Sequence, residues 1–339
     1  MAVYISAVDV FFPNESLTNK DLANAFPEWS VAKIESKTGI KNRYIASEGQ
    51  SVSDLAVGAA INLFQNSNID KSKIDFLLLC TQSPDYLLPT TACIVHEKLS
   101  LDKSCGAMDF NLGCSGFVYG LGLAKGLIQS GQCKNVLLIT SEVYSKHIHP
   151  KDKSVRTIFG DGAAATLISG DDTVPGENIG CFIYGTDGSG AQNLIIPDGG
   201  VKSPYTPNSF VEATDSSGNV RTPSNLYMNG SEIFTFTLKA VPLAIAQLCE
   251  KSSLTLDDFD YFIFHQANKF MLEQLRVNLK IPKDKFLTSY ENYGNTVSST
   301  IPIGLFEAIH NRQIRSGDKI LLIGFGVGYS WAATYITWI

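Results

Sequence analysis

The chain has 339 residues, of which 44% are apolar and 18% charged, so it can bury a large core and is not a disordered protein. This length suggests two domains or one large two-lobed domain. The net charge of −6 argues against binding to nucleic acid or to an anionic membrane surface.

The N-terminal residues lack the basic and apolar segments of a signal peptide, and no apolar run is long enough to span a membrane. The seven cysteines occur at irregular spacing and form no Cys-x-x-Cys pair, so neither a metal site nor a disulfide framework is indicated. An odd number of cysteines without a secretion signal is typical of reduced thiols. We therefore expect a cytoplasmic protein that does not insert into membranes.

Apolar runs typical of buried strands alternate with helical patterns, which predicts an α/β fold. The N-terminal residues alternate as in a strand, and further strands are predicted over 76–80, 107–111, 136–140, 163–168, 262–264 and 320–323. Helices are predicted over 53–64, 91–99, 115–129, 232–249, 269–279 and 298–311. Residues 185–228 are rich in Gly, Pro, Ser, Asn and Asp and should form long irregular connections.

The sequence also contains an internal echo. KSKIDFLLLC (71–80) resembles LDDFDYFIFH (256–265), and SGQCKNVLLIT (130–140) resembles SGDKILLIGF (316–325). The echo indicates either a duplicated β/α half or coincidence between two ordinary units. Duplication would divide the chain into residues 1–172 and 173–339, with a site where the halves meet.

Cys114 is the candidate nucleophile. It follows a predicted strand and Gly113, and it directly precedes a predicted helix that contains Gly116. The free amides and positive dipole end of that helix favour a thiolate, and the N–H of Cys114 is free to bind an oxyanion. The alternative is an inert core thiol, which is the more common role of a free cysteine and the one we assign to the other six.

Two further segments carry candidate polar groups. His265 ends a predicted strand and is followed by Gln266 and Asn268, at the sheet edge where α/β folds present ligands. Asn295 follows Gly294 just before a predicted helix. Taken singly, the histidine could be a structural residue and the Gly-Asn pair an ordinary turn.

Glycines at 324, 326 and 328 interrupt the last predicted strand. They indicate a backbone that passes close to another group, or a bend between strands. Because no helix follows, this segment is not a dinucleotide-binding fingerprint.

In this order, the motifs resemble the 3-oxoacyl-acyl-carrier-protein synthase III family, the initiating condensing enzymes of the thiolase superfamily. The resemblance runs almost end to end. The segments that carry it are TGIKNRYIA (38–46), PTTA (89–92), GCSGFVYGL (113–121), IFGDGAAA (158–165), MNGSEIF (228–234), HQAN (265–268), YGN (293–295) and GFGVGYSW (324–331). The resemblance implies a thiolase-like five-layer αβαβα fold with two pseudo-twofold-related halves, and a homodimer.

The resemblance also implies a reaction. Cys114 would take the acyl group of an acyl-CoA as a thioester. Malonyl-acyl carrier protein would then lose CO₂, with His265 and Asn295 as donors to the enolate oxygen. The carbanion would attack the acyl group on Cys114, whose oxyanion lies on the amides of Cys114 and Val327. The product is a 3-oxoacyl-acyl carrier protein that initiates fatty-acid synthesis, and no metal or permanently bound cofactor is required.

Further positions follow from the resemblance alone. The residues expected to hold the coenzyme A or phosphopantetheine arm are Lys37, Lys153, Gly230, Ala267, Asn268 and Phe325. Leu88, just before the Pro of the PTTA segment, would reach into the acyl channel of the partner subunit. Leucine there, in place of phenylalanine, predicts a deeper channel and four- to eight-carbon or branched primers. The alternative is that Leu88 is ordinary interface packing and another residue closes the channel.

Several positions depart from the family pattern. Lys37 replaces an arginine that contacts the coenzyme nucleotide and so lacks its planar fork. Trp29 lies eight residues before Lys37 instead of four. Thr235 and Phe270 occupy positions where basic residues are associated with carrier-protein docking. The reaction chemistry is therefore retained, while the surfaces that recognise partners differ.

These departures leave alternatives open. One is a related enzyme that serves a dedicated lipid, polyketide or surface-glycan pathway, or that only transfers the acyl group. Another is an inactive scaffold that pairs with an active synthase. Intact Cys114, His265 and Asn295 argue against the scaffold.

Overall fold

The computed structural model describes residues 1–339. The strands are, in chain order, β1 (Ala2–Phe11), β2 (Glu15–Thr18), β3 (Asn42–Ile45), β4 (Phe76–Cys80), β5 (Gly106–Phe110), β6 (Asn135–Glu142), β7 (Gly162–Asp171), β8 (Ile183–Thr186), β9 (Leu194–Ile195), β10 (Ala213–Thr214), β11 (Val220–Arg221), β12 (Tyr227–Met228), β13 (Tyr261–Phe264), β14 (Phe286–Leu287), β15 (Lys319–Gly326) and β16 (Ser330–Thr337). The helices are α1 (Asn19–Ala25), α2 (Val31–Thr38), α3 (Val52–Asn66), α4 (Thr91–Leu99), α5 (Gly116–Gln129), α6 (Lys153–Arg156), α7 (Gly230–Ser252), α8 (Lys269–Asn278), α9 (Tyr290–Tyr293) and α10 (Thr300–His310).

Two five-stranded sheets repeat one pattern. Their strand orders are β1-β7-β6-β4-β5 and β14-β13-β15-β16-β8. In the first sheet β4 is parallel to β5 and β6, whereas β6–β7 and β7–β1 are antiparallel. In the second, β13 is parallel to β14 and β15, whereas β15–β16 and β16–β8 are antiparallel. The chain is therefore built from two halves of the same topology.

The sequence echo has a structural cause in this repeat. The Asp75 carboxylate accepts hydrogen bonds from the backbone N–H groups of Lys134 and Asn135, both at 2.7 Å. In the other half, the Asp260 carboxylate accepts from the N–H of Lys319 at 2.9 Å. Each aspartate directly precedes one strand, β4 or β13, and accepts a hydrogen bond from the first residue of the neighbouring strand, β6 or β15. The two blocks that look alike in sequence therefore occupy equivalent places.

Helices and sheets stack in five layers. Helices α3 and α4 cover one face of the first sheet, and α7 and α8 cover the outer face of the second. Helices α5 and α10 lie between the sheets and contact both. The central core contains Phe117, Val118 and Leu121 of α5 and Ile301 and Leu305 of α10. This layering brings the N-termini of the two central helices to the boundary between the halves.

The predicted elements are confirmed, with shifts at their ends. The predicted bounds of β4 and α4 match the structure, and β5 begins and ends one residue earlier than predicted. The glycine-containing segment near the C-terminus is not one interrupted strand but two antiparallel strands, β15 and β16, joined by a turn. Residues 187–226 contain only short strands and 3₁₀ turns, as the composition indicates.

Helix α7 is long and apolar enough to cross a membrane, judged by length and composition alone. In this fold it packs on β15 and β16 of the second sheet. The side chains of Val241, Ala244 and Leu248 are buried in the core on that side. Its apolar face thus belongs to the protein interior.

Candidate active site

Cys114 lies directly before α5, in the turn that leads from β5 into the helix. The Gly116 N–H donates to the Gly113 carbonyl at 2.8 Å, which closes this turn. Strand β15 passes against it: a Cβ added at Gly324 would lie 2.6 Å from the Cys114 carbonyl oxygen. A Cβ at Gly326 would lie 2.9 Å from the Cys114 sulfur. The glycines therefore allow the close backbone approach that the sequence indicates.

Three candidate residues meet in one cavity of about 140 Å³, because Cys114, His265 and Asn295 all line it. The cavity wall also includes four residues expected to hold the substrate arm, namely Gly230, Ala267, Asn268 and Phe325. The Phe325 ring stands edge-on to the His265 ring, with ring centroids 5.4 Å apart. Residues from both halves of the chain thus enclose one site.

The electrostatics of Cys114 differ from the sequence-based expectation. Burial, and to a smaller extent the nearby Glu142 carboxylate, raise the pKa of the Cys114 thiol to about 12. The backbone N–H groups of Cys114 and Val327 point at the sulfur and oppose this pKa increase. The N–H groups therefore favour the thiolate in the direction that the sequence predicts, but burial opposes them in the resting protein. The same two N–H groups can bind an oxygen that becomes negative beside the sulfur.

His265 is held by a hydroxyl that sequence reasoning missed. Its Nδ1 lies 2.7 Å from the Thr300 hydroxyl oxygen, which is also 3.0 Å from the Val297 carbonyl oxygen. A hydroxyl has one hydrogen, so its direction decides the histidine tautomer. When Thr300 donates to Val297, Nδ1 carries the ring proton and Nε2 is an acceptor. When Thr300 donates to Nδ1, Nε2 carries the proton and becomes a donor.

Burial also lowers the pKa of His265 to about 3, so the ring is neutral. Its Nε2 lies 3.4 Å from the Asn295 amide nitrogen. The orientation of that amide is fixed, because Asn295 Oδ1 accepts from the Val297 N–H at 2.9 Å. Val297 has a φ of +56°, a strained conformation for a β-branched residue. The surrounding structure thus holds Asn295 Nδ2 and His265 Nε2 side by side at the cavity.

Glu142, at the end of β6, is a second residue that sequence reasoning missed. Its fully buried carboxylate accepts from the Ser298 hydroxyl at 2.8 Å, the Ser83 hydroxyl at 2.9 Å and the Gln82 N–H at 3.1 Å. Burial raises the pKa of Glu142 to about 8, against the effect of these donors. The carboxylate ties the first half of the chain to the segment that carries Asn295.

Family models match both parts of this site. A model described as 3-oxoacyl-[acyl-carrier-protein] synthase III matches residues 108–188, and its C-terminal counterpart matches residues 249–338. The beta-ketoacyl-[acyl-carrier-protein] synthase III of Clostridium perfringens is 36% identical to this chain over 95% of both proteins. The enzyme of that name from Caldanaerobacter subterraneus is 36% identical over 100% of this chain and 98% of its own. The chain belongs to the 3-oxoacyl-acyl-carrier-protein synthase III family.

Solved structures agree with this assignment. A 3-oxoacyl-(acyl-carrier-protein) synthase III crystal structure is 46% identical, has a TM-score of 0.98 and covers 100% of both chains. The priming beta-ketosynthase of the R1128 polyketide pathway is 26% identical, with a TM-score of 0.86 over 99% of this chain and 96% of its own. The thiolase-like fold expected from the sequence is confirmed.

The basic positions of the family lie outside the cavity. Lys37 and Lys33 both stand over the Trp29 ring, 5.5 and 5.2 Å from its centroid. Trp29 therefore reaches the Lys37 side chain despite its shifted place in the sequence. Lys153 pairs with Glu28, next to Trp29 in the chain, at 2.8 Å. Trp29 therefore carries two lysine ammonium groups over its ring, while the charge of Lys153 is paired with Glu28.

The remaining predicted positions are dispersed. Val327 lies beside Cys114, but its side chain faces a second cavity. Leu88 is 87% exposed and lines neither cavity of its own chain. Phe270 is 57% exposed and stacks on Phe234 at 5.2 Å between ring centroids. At Phe270 the protein therefore presents an apolar surface.

Proposed function

We propose that the protein condenses an acyl-CoA with malonyl-acyl carrier protein, releasing CO₂ and forming a 3-oxoacyl-acyl carrier protein that initiates fatty-acid synthesis. The observation that carries the proposal is the meeting of Cys114, His265 and Asn295 in one cavity. That cavity combines a thiol, two N–H groups at its sulfur and two nitrogen atoms placed to share one oxygen.

In the first half-reaction the Cys114 sulfur attacks the acyl-CoA carbonyl. The oxygen takes up negative charge and binds the N–H groups of Cys114 and Val327. The bond between carbonyl carbon and coenzyme sulfur then breaks, and coenzyme A leaves as a thiol. Burial favours the thiol form of Cys114, so its proton leaves as the new carbon–sulfur bond forms, and one proton ends on the coenzyme sulfur, which departs as the thiol.

In the second half-reaction the malonyl thioester occupies the cavity of His265 and Asn295. Its carbon–carbon bond to the carboxylate breaks, CO₂ departs, and the electron pair becomes an enolate. The enolate oxygen accepts from Asn295 Nδ2 and from His265 Nε2, which requires Thr300 to donate to Nδ1. The enolate carbon then attacks the acyl carbonyl carbon, the bond from that carbon to the Cys114 sulfur breaks, and the sulfur takes up a proton to restore the thiol.

The proposal includes a homodimer, an acyl carrier protein as partner, and a cytoplasmic protein without membrane insertion or nucleic-acid binding. Three consecutive apolar residues support the dimer, because Tyr86, Leu87 and Leu88 are 63%, 91% and 87% exposed. A second copy of the chain would cover them and bring Leu88 to the partner's acyl channel. The net charge of −6 supports the exclusion of nucleic acid.

A second candidate keeps the chemistry and changes the pathway. Thr235 and Phe270 stand where basic docking residues are expected, which favours a carrier protein with a less acidic or more apolar surface. The structural likeness to a polyketide priming synthase fits a specialised pathway of this kind.

The test combines purified protein, an acyl-CoA and malonyl-acyl carrier protein. Condensation predicts one CO₂ per 3-oxoacyl product. Acyl transfer alone would yield acyl-carrier protein without CO₂, and an inactive scaffold would yield neither. A His265→Ala, Asn295→Ala double variant is the control for CO₂ that is released without catalysis by these two residues.

A further inference from the structure

A second cavity of about 150 Å³ shares Leu194 in its wall with the first cavity. Its apolar wall consists of Leu194, Ile195, Ile196, Leu226 and Val327. Its remaining lining is polar and consists of Gln82, Asn111, Tyr144 and His147. These polar groups have no role in the reaction steps described above.

This cavity is placed to receive the acyl chain held on Cys114. It adjoins the turn of the nucleophile, since a Cβ at Gly113 would lie 2.4 Å from Gln82 Oε1 and 2.8 Å from Val327 Cγ1. Val327 directs its N–H toward the Cys114 sulfur and its side chain into the second cavity. The first cavity must hold the malonyl thioester beside His265 and Asn295. The acyl chain therefore extends into the second cavity.

The polar groups there form a chain of hydrogen bonds with an open end. The Tyr144 hydroxyl donates to Gln82 Oε1 at 2.7 Å, and Gln82 Nε2 donates to Asn111 Oδ1 at 3.2 Å. Because its only hydrogen is committed to Gln82, the Tyr144 oxygen is left as an acceptor. His147 stands edge-on to the Tyr144 ring, and its buried Nε2 has no hydrogen-bond partner.

A buried nitrogen without a hydrogen-bond partner is costly, so the His147 Nε2 in this lining favours an acyl group with a polar substituent over a plain alkyl chain. A cavity of about 150 Å³ is the size that holds a benzene molecule, or roughly six heavy atoms. We propose that the second cavity holds the first carbons of the acyl chain and selects an acyl group that carries a hydroxyl on those carbons, which donates to the Tyr144 oxygen and contacts His147. This inference rests on the proposed function and names the substrate class of the same site.

The test is a competition for acylation of Cys114 between butyryl-CoA and hydroxybutyryl-CoA, with the hydroxyl at C3 in either configuration or at C4. Wild type should favour at least one hydroxyacyl group by about three- to tenfold, the range of one neutral hydrogen bond. Tyr144→Phe should abolish this preference, mainly because butyryl-CoA reacts faster. Tyr205→Phe, which removes an exposed hydroxyl outside both cavities, should leave it unchanged.

A second variant tests the direction of the hydrogen bonds. Gln82→Leu frees the Tyr144 hydroxyl to donate, so acetoacetyl-CoA, whose oxo group can only accept, should gain relative to butyryl-CoA. A wild-type preference for butyryl-CoA, or a hydroxyacyl preference that survives Tyr144→Phe, overturns the inference. If no acyl-CoA acylates Cys114, the proposed function itself fails, which separates the two outcomes.

Discussion

The two cavities beside Cys114 are similar in volume, about 140 and 150 Å³, but differ in what their polar groups can do. In the first cavity, Asn295 and His265 are positioned by strained backbone and buried partners, and they face the place where the enolate forms. In the second cavity, the Tyr144 hydroxyl is hydrogen-bonded to Gln82, and the neighbouring His147 Nε2 has no hydrogen-bond partner. On this proposal the first cavity determines the reaction, and the second determines which acyl group enters it.

The largest effect should come from the polar pair of the first cavity. His265→Ala or Asn295→Ala should slow CO₂ release by on the order of 10²–10³, the usual cost of losing one oxyanion donor. Acylation of Cys114 should persist, because it uses other donors. The exposed residues His310 and Asn311 give matched controls as His310→Ala and Asn311→Ala. Wild-type decarboxylation in both site variants would remove these residues from the mechanism.

Glu142, which is fully buried, should impose a pH dependence on stability. Its pKa is about 8 in the folded protein against the ordinary value of 4.5, so the folded state retains a proton that the unfolded state loses. The contribution is therefore present below pH 4.5 and is lost as pH rises toward 8, on the order of a few kcal/mol. In denaturant unfolding measured from pH 4.5 to pH 8, Glu142→Gln should reduce this decline in the free energy of unfolding. The exposed Glu97→Gln should not, and equal slopes in all three proteins would contradict the assignment.

A smaller effect is expected from variants of Thr300, which should change the tautomer of His265 without moving its ring. Thr300→Val removes the hydroxyl beside Nδ1 and should slow decarboxylation by about tenfold, the scale of one hydrogen bond. Thr300→Ser keeps the hydroxyl and should stay near wild type. Nitrogen NMR of labelled His265 should report the altered tautomer in the valine variant. If Thr300→Val and Thr300→Ser decarboxylate at the same rate, the Thr300 hydroxyl does not control the tautomer of His265.

The smallest effect should appear in the choice of acyl chain. Wild type should accept four- to eight-carbon or branched primers at least as well as acetyl, because Leu88 leaves the partner's channel open. Leu88→Phe should shift the preference toward acetyl several-fold, since methylene-sized differences discriminate by only about 1–3 kcal/mol. Leu87→Phe, at the more exposed neighbour, is the matched control. Strict acetyl preference in wild type would exclude Leu88 from the selection.

The sequence predicts the first cavity better than the second for a physical reason. Cys114, His265 and Asn295 each follow a strand or glycine turn at a helix start, so local pattern locates them. Gly324 and Gly326 likewise signal a close approach, and the structure places Cys114 against them. Such signals depend on neighbouring residues and can therefore be recognised in the sequence alone.

Other groups become neighbours only through the fold. Glu142 meets Ser298 from 156 residues away, and Tyr144 meets Gln82 from 62. No spacing rule marks such single polar residues inside apolar runs. The raised pKa of the Cys114 thiol is not predictable from the sequence for the same reason, because the burial that raises this pKa depends on strands that are distant in sequence.

The central claim is that Cys114 alone carries the acyl group. The direct measurement treats the protein with acyl-CoA in the absence of malonyl-acyl carrier protein and determines intact mass, then maps the acylated peptide among the seven cysteines. We predict one acyl group per chain, on Cys114, and none in Cys114→Ser, since no base adjoins that position to activate a serine. An acyl group on another cysteine, or an unmodified chain, would contradict the account.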